Sequence, residues 1–234
     1  MESSNSTDAL NLYAKVEDLL GIKEYAPKLY NYYFDILNNL EFNSLLDIGC
    51  GSGDFLIELQ KRYKKAKLEG LDKSSYMVKL AKSRGLSVDN IELNLVTKSY
   101  DIATATFDMI NYLTPNEFIN FFEDLTKVVK KYFIFDVNTE FGLSDLAVGN
   151  FIAQDENRFL SIESFYEGGV YDSIFTLFER DNNCYKKSTN SIRQYYYNES
   201  FFNLLGGWKL KEKLPIKLYD MEMPDKVIYI LQKE

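Results

Sequence analysis

Residues 45–59 read LLDIGCGSGDFLIEL, and the 234-residue chain is best interpreted from this stretch outward. Residues 44–48 are mostly apolar with little alternation, which is typical of a short buried parallel strand. Three glycines follow at alternate positions from 49 to 53, and apolar residues then recur at helical spacing from 55 to 59. This order predicts a strand, a glycine turn and a helix whose free N–H groups face a polar ligand.

The spacing of the glycines distinguishes this turn from two other nucleotide-binding loops. The run is G-x-G-x-G after Asp47, whereas a dinucleotide-binding turn needs G-x-G-x-x-G, so a dehydrogenase is disfavoured. A P-loop is excluded because no Gly-Lys-Ser/Thr follows. The run Leu-Asp-Ile-Gly-Cys-Gly-Ser-Gly resembles motif I of the class I S-adenosylmethionine-dependent methyltransferases. The resemblance implies S-adenosylmethionine as the cofactor, with a first set of binding residues made up of Asp47, Gly49, Cys50, Gly51 and Gly53.

The composition describes an ordinary globular protein, with 46% hydrophobic and 26% charged residues. A formal net charge of −8 gives no electrostatic support for tight nucleic-acid binding. The chain has no histidine and two cysteines, which disfavours a zinc site and indicates a reducing, cytoplasmic location. We predict no signal peptide and no membrane span, because no apolar run approaches the roughly 20 residues needed to cross a bilayer.

A second acidic strand end follows at Asp72, after residues 67–71. In nucleotide-binding α/β folds, an acid at this point accepts hydrogen bonds from ribose hydroxyls. The alternative is a helix N-cap, but Ser74 can supply that cap itself. The segment Leu-Asp-Lys-Ser-Ser-Tyr-Met resembles motif II of the same family, which implies that Lys73 and Met77 flank the adenine.

The segment after this helix leaves little room for a full third strand, because residues 84–88 lead directly into Asp89 and Asn90. The spacing between Asp89 and Asp101 resembles the family's spacing between its adenine-binding acid and the acid that opens strand four. The resemblance implies that Asp89 accepts from the adenine amino group and that Asn90 contacts the ring edge. An exposed loop aspartate is the alternative for Asp89.

Polar residues follow the next two strands. Residues 100–107 predict strand four, and residues 132–138 predict strand five. Open α/β sheets bind ligands at the carboxyl ends of their strands, and the first of these runs resembles the segment that faces the acceptor in small-molecule methyltransferases. The candidate catalytic residues are therefore Asp108, Asn111, Tyr112 and Asp136, although Asn111 can also serve as a turn residue before Pro115.

Two segments, one N-terminal and one inserted after strand five, are predicted to cover this site. Residues 9–40 show helical periodicity, and in similar methyltransferases such helices serve as a lid, although plain packing also explains their tyrosines. Residues 143–197 predict an inserted antiparallel sheet with hairpin turns. The passage around Arg193 and Tyr195 resembles a subgroup that includes sugar-amine N-methyltransferases and uncharacterised bacterial enzymes. There the inserted sheet covers the acceptor, which implies substrate contacts for these two residues; a surface sheet pair is the alternative.

Together these features predict an α/β fold with a Rossmann-like seven-stranded sheet, helices on both faces and an antiparallel sheet inserted after strand five, all in one domain over residues 1–234. The resemblance implies methyl transfer from S-adenosylmethionine to nitrogen or oxygen of a small polar acceptor, without a metal. The alternatives are a non-catalytic S-adenosylmethionine-binding protein and a methyltransferase acting on RNA or protein. We expect a monomer or homodimer.

Overall fold

The computed structural model describes residues 4–202 and 205–234. Along the sequence its strands are β1 (Ser44–Ile48), β2 (Lys67–Leu71), β3 (Val88–Asp89), β4 (Tyr100–Ala105), β5 (Val129–Asn138), β6 (Asn150–Gln154), β7 (Arg158–Glu167), β8 (Val170–Asp181), β9 (Cys184–Tyr195), β10 (Trp208–Ile216) and β11 (Lys226–Lys233). Its α-helices are α1 (Thr7–Val16), α2 (Ile22–Leu37), α3 (Asp54–Arg62), α4 (Ser75–Ser83), α5 (Pro115–Val128), α6 (Glu140–Leu146) and α7 (Glu199–Phe202). Short 3₁₀ segments lie at Glu17–Leu20, Leu93–Leu95 and Met109–Tyr112.

The main sheet has seven strands in the order β10-β11-β5-β4-β1-β2-β3. Strands β1 to β5 pair in parallel, whereas β11 is antiparallel to β5 and β10 is antiparallel to β11. The chain reverses its strand order between β1 and β4, which places a ligand crevice at the carboxyl ends of these strands. The predicted Rossmann-like sheet is confirmed, and β3 is indeed only two residues long.

The core divides into two layers because each central strand is buried on both faces. On one face, α5 packs Phe118, Phe122 and Leu125 against the sheet. On the other face, α2, α3 and α4 pack against alternate residues of the same strands, such as Ile102 and Ile134. Helix α5 begins at a capping box between Thr114 and Glu117 with a proline at its first turn, so its start and direction are fixed locally.

Strands β6 to β9 form a separate four-stranded antiparallel sheet after β5, which confirms the predicted insertion. Its inner face packs on helix α1, and the two elements share a small apolar core. The core residues are Ala9, Leu12 and Val16 from α1, and Leu160, Ile162, Phe175, Leu177 and Ile192 from the sheet. The inserted sheet therefore supports helix α1 through this apolar contact.

Within the described residues, no helix is both long enough and apolar enough to cross a membrane. The same residues contain no group of three or more cysteine, aspartate or glutamate side chains placed to hold a metal ion. The cytoplasmic location stays a prediction.

Candidate active site

A cavity of about 510 Å³ lies at the carboxyl ends of β1, β2 and β4. Its floor is formed by the turn after β1, by residues 71–74 and by five residues after β4, namely Thr106, Phe107, Met109, Tyr112 and Leu113. One end is bounded by residues 91–94 and by the first half of α5. Helices α1 and α2, with the 3₁₀ segment between them, form its outer wall. The cavity therefore joins the predicted cofactor corner to the polar segment that follows β4.

The glycines of the corner have different roles. Gly51 has a φ of +54°, and a Cβ added there would meet no heavy atom within 4 Å, so its absent side chain leaves room in the cavity wall. Gly53 has a φ of +82°, but a Cβ there would lie 2.1 Å from Cδ1 of Leu86. Gly49, Cys50 and Gly51 line the cavity, whereas Gly53 lets the turn pack closely on its neighbours.

Asp72 is bound to the glycine turn. The backbone N–H of Gly51 donates to Oδ2 of Asp72 over 2.8 Å, and the N–H of Ser74 donates to Oδ1 over 2.7 Å. Burial raises the pKa of this carboxyl group, while the two N–H donors lower it. The side chain of Ser74 caps α4, so Asp72 is not needed for that cap. Its remaining lone pairs stay available to ligand hydroxyls on the cavity side.

Asp47 lies behind the turn, fully buried and away from the cavity wall. Its Oδ1 accepts a hydrogen bond from the Thr104 hydroxyl over 2.8 Å. Its Oδ2 has no hydrogen-bond partner among the described residues. Burial raises the pKa of Asp47 to about 7, with the Thr104 hydroxyl acting in the opposite direction. Asp47, predicted to bind the cofactor, thus supports the glycine turn from behind and does not line the cavity.

Two tyrosines meet at the end of the cavity next to β4. Tyr112, from the 3₁₀ segment after β4, and Tyr13, from α1, both line the cavity. Their rings contact edge to face, with centroids 6.3 Å apart. Burial raises the pKa of both phenols well above its usual value, so both remain protonated at neutral pH. They can donate and accept hydrogen bonds, but they cannot serve as bases there.

The chain was compared with known proteins. A family model described as a methyltransferase domain matches residues 45–132. The S-adenosylmethionine-dependent methyltransferase from Clostridium acetobutylicum superposes with a TM-score of 0.77 at 21% identity, over 95% of this chain and 99% of that one. The sugar N-methyltransferase KedS8 from Streptoalloteichus superposes with a TM-score of 0.69 at 14% identity, over 100% and 95%. Residues 45–132 thus match a methyltransferase domain, and the fold is that of S-adenosylmethionine-dependent methyltransferases of known structure.

Two curated sequence relatives match part of this chain. A carboxy-S-adenosyl-L-methionine synthase from Nautilia profundicola is 33% identical over 88 residues, or 35% of this chain and 37% of that protein. A malonyl-[acyl-carrier protein] O-methyltransferase from Priestia megaterium is 32% identical over 118 residues, or 47% and 41%. The chain thus matches less than half the length of these curated relatives.

The structure does not bring every predicted cofactor residue to the cavity. Lys73 and Met77 line it, and Lys73 forms an ion pair with Glu92 at 3.3 Å. Asp89 is exposed at the sheet edge, where it lies 3.7 Å from Lys82, and it does not line the cavity, so its adenine contact stays a prediction. Residues 91–94, which follow the short β3, line the cavity instead.

Asn90, also predicted to contact adenine, does not line the cavity. Its side-chain amide donates to the carbonyls of Asp72 and Lys73 over 2.8 and 3.0 Å. These bonds hold the loop after β2 in place. Asn90 therefore affects the cavity through the positions of Asp72 and Lys73.

The predicted catalytic residues separate into one cavity residue and three buried ones. Tyr112 lines the cavity, but Asp108, Asn111 and Asp136 do not. Asn111 is fully buried; its amide donates to the Tyr195 carbonyl over 2.8 Å, and its oxygen accepts from the N–H of Asn138 over 2.9 Å. It ties the segment after β4 to β9 and β5, which is a structural role. Of the four predicted catalytic residues, the structure brings only Tyr112 to the cavity wall.

Asp108 and Asp136 belong to a charged cluster beneath the cavity. Lys226, fully buried at the start of β11, donates to Asp108 and to Asn138, and its ammonium nitrogen lies 3.3 Å from Oδ2 of Asp136. Gln194 donates to Asp108 over 2.8 Å. Burial raises the pKa of Asp108 while Lys226 lowers it. These groups satisfy one another, so Asp108 has no free contact with the cavity.

Sequence reasoning missed Lys226 and two tyrosines, Tyr13 and Tyr33. Lys226 pairs in register with Asn138 at the end of β5. The available signal was a lysine opening an otherwise apolar strand, a position where an unpaired charge would be costly. Nothing in the sequence of α1 or α2 distinguishes Tyr13 or Tyr33 from the other tyrosines.

The predicted substrate residues also do not line the cavity. Arg193 makes a two-pronged contact with Asp172, at 2.5 Å from Nε and 2.8 Å from one terminal nitrogen. Tyr195 is buried in the main core. Residues 143–197 contribute nothing to the described cavity lining, and the inserted sheet packs on α1.

Asn5 connects this region to the cavity. It lies before α1 and lines the cavity, and its amide donates to the carbonyls of Tyr112 and Arg193 over 3.1 and 2.8 Å. Its oxygen accepts from the N–H of Arg193 over 2.8 Å. Farther along α1, Asn11 accepts a hydrogen bond from Ser74 over 2.7 Å. Helix α1 is thereby fastened across the cavity at both ends.

Proposed function

We propose that this methyltransferase transfers the methyl group of S-adenosylmethionine to nitrogen or oxygen of a small polar acceptor. One observation carries the proposal: a single cavity joins the glycine corner and Asp72 to the tyrosine pair at Tyr13 and Tyr112, and α1 covers it. A covered site of this kind suits a reaction in which the protein positions two reactants and excludes water. The sugar N-methyltransferase fold of KedS8 is consistent with a small acceptor.

The residues present fit the cofactor. When bound, S-adenosylmethionine supplies an electrophilic methyl group on a sulfonium cation. Asp72 would accept from the ribose hydroxyls, and the backbone at Gly49 and Gly51 would lie along the cofactor. Holding the reactants in line can lower the barrier by about 7–11 kcal/mol in favourable cases. Tyr13 and Tyr112 would orient the acceptor through hydrogen bonds.

The acceptor must lose a proton, and Glu17 is the best-placed carboxylate to receive it. Six carboxylates line the cavity, and five of them are engaged: Asp54 by Arg84 and Ser52, Asp72 by backbone donors, Glu92 by Lys73, Glu117 by the cap of α5, and Asp124 by Lys127. Glu17 forms no hydrogen bond or ion pair with the described residues. Burial raises its pKa, which suits a general base.

The test is to titrate the protein with S-adenosylmethionine by calorimetry and then incubate it with pools of amino sugars, amino acids and phenols. We expect heat of binding, formation of S-adenosylhomocysteine and an acceptor heavier by one CH₂ group. Binding without transfer to any pool would favour a non-catalytic binding protein. Methylation of only RNA or protein pools would contradict a small acceptor. A heavier S-adenosylmethionine derivative would point to chemistry like that named for the Nautilia relative.

A pair of glycine variants provides the matched control. Gly51 and Gly149 both have positive φ, at +54° and +79°, and a Cβ at either position meets no heavy atom within 4 Å. Gly51→Val and Gly149→Val therefore carry a similar backbone cost, but only the first fills the cavity. We expect Gly51→Val to abolish cofactor binding while Gly149→Val retains it. Equal loss in both variants would show that strain alone explains the effect.

A further inference from the structure

The turn after β4 has an unusual backbone. Phe107 and Asp108 are consecutive non-glycine residues with φ of +54° and +53°. Such residues pay a conformational cost that surrounding contacts must offset. Thr106 and Phe107 on this turn line the cavity.

Asp136, near the end of β5, supplies those contacts. Its Oδ1 accepts from the backbone N–H of Phe107, and its Oδ2 accepts from the N–H of Asp108, each over 2.9 Å. The hydroxyl of Tyr33 lies 2.8 Å from Oδ1, and Lys226 lies 3.3 Å from Oδ2. Asp136 is fully buried, so its position is fixed by these four groups.

The direction of the N–H groups determines the direction of the carbonyls. In a trans peptide, N–H and C=O point to opposite sides, and the described chain has no cis peptide. Since the N–H groups of Phe107 and Asp108 point down to Asp136, the carbonyls of Thr106 and Phe107 point away from it. Neither carbonyl accepts a hydrogen bond from the described residues. Two peptide dipoles thus have their negative ends free.

We infer that Asp136 is a positioning residue that aims the carbonyls of Thr106 and Phe107 at the cavity, where they favour a sulfonium cation over the neutral thioether left after methyl transfer. The inference rests on the proposed function. Preorganised dipoles in a water-poor site interact strongly with charge and need no reorganisation. The arrangement makes the site distinguish the charged donor from the uncharged product.

The test compares the affinities for S-adenosylmethionine and S-adenosylhomocysteine by calorimetry. The wild-type protein should bind the sulfonium more tightly. Asp136→Asn keeps the volume but presents only one acceptor oxygen, so the two N–H groups can no longer both be held. We expect the ratio of the affinity for S-adenosylmethionine to that for S-adenosylhomocysteine to fall about tenfold, mainly through weaker binding of S-adenosylmethionine. Equal weakening for both ligands, or an unchanged ratio, would overturn the inference.

Two further variants separate this effect from a folding defect. Tyr33→Phe removes one donor to Asp136 and keeps the ring, so the ratio should narrow in the same direction by a smaller factor; no narrowing would overturn the inference even if Asp136→Asn does not fold. Asp101→Asn is the control, because Asp101 also accepts a backbone N–H, from Asn43 over 2.7 Å, but at the opposite end of β4. Its ratio should stay at the wild-type value, and a matching change there would also contradict the inference.

The wild-type measurement distinguishes the two proposals. If the wild-type protein binds both ligands with equal affinity, the role of Asp136 is refuted and the proposed function stands. If it binds neither, the proposed function fails, and the inference fails with it.

Discussion

The cofactor corner and the acceptor side of the cavity are built in opposite ways. The corner comes from one continuous stretch, residues 45–74, and its main contact joins Asp72 to Gly51. The acceptor side brings together residues that are far apart in sequence, such as Asn5 with Tyr112 and Arg193. A local site can be inherited as a motif, whereas a composite one depends on the whole fold. The match of a methyltransferase domain model to residues 45–132 includes the corner but neither Asn5 nor Arg193.

The largest expected effect lies in the corner, at Asp47. Its pKa of about 7 in the folded protein exceeds the unfolded value, so the native state binds the extra proton between about pH 4 and pH 7. The stability of the wild type should therefore fall as pH rises through this window. In Asp47→Asn this fall in the free energy of unfolding should disappear. The variant should therefore gain up to about 4 kcal/mol relative to the wild type as pH rises from about 4 to about 7. Parallel pH profiles in urea unfolding would contradict this expectation.

Asp72 and Asp89 provide the next test, because both are acids at neighbouring strand ends. Asp72→Asn removes an acceptor that is held against the glycine turn and lines the cavity. We expect the dissociation constant of S-adenosylmethionine to rise about 10- to 100-fold in calorimetry. Asp89→Asn, at an exposed position, should leave it unchanged. A comparable loss of affinity for S-adenosylmethionine in both variants would support the adenine contact predicted for Asp89.

Glu17 tests the acceptor side. Glu17→Gln should lower kcat/KM for the acceptor about tenfold while the affinity for S-adenosylmethionine stays near the wild-type value. Because the pKa of Glu17 is raised, wild-type activity should decline as pH falls through that raised pKa, and this acidic limb should be absent in the variant. Glu24→Gln, on the exposed side of α2, is the matched control. An unchanged pH profile in Glu17→Gln would indicate that water, and not Glu17, accepts the proton that the acceptor loses.

Tyr112 should give the smallest effect. Tyr112→Phe removes one hydroxyl and keeps the ring contact with Tyr13. We expect kcat/KM for the acceptor to fall about fivefold, with no change in cofactor affinity. Tyr185→Phe, an exposed position on β9, should match the wild type. If Tyr112→Phe weakened the binding of S-adenosylmethionine instead, Tyr112 would belong to the cofactor-binding part of the cavity and not to its acceptor side.

The sequence predicted the sheet and the corner because both depend on local pattern. Apolar strands, the glycine spacing and an acid at a strand end are visible without the fold. The acceptor-side residues were predicted only because they follow the carboxyl ends of strands. That position does not show which carboxylates are already hydrogen-bonded or ion-paired within the protein. Asp136 lies at a strand end as expected, but two backbone N–H groups, Tyr33 and Lys226 occupy it. Tyr33 comes from α2 and Lys226 from β11, and no local pattern connects either element to β5.

Helix α1 lies between the cavity on one side and the inserted sheet on the other. Any opening of the cavity through a movement of α1 must therefore disturb the apolar contact between the helix and the sheet. Eight buried side chains form that contact, and a looser contact would make the movement easier. The inserted sheet, which does not border the described cavity, can thereby influence how readily the cavity opens.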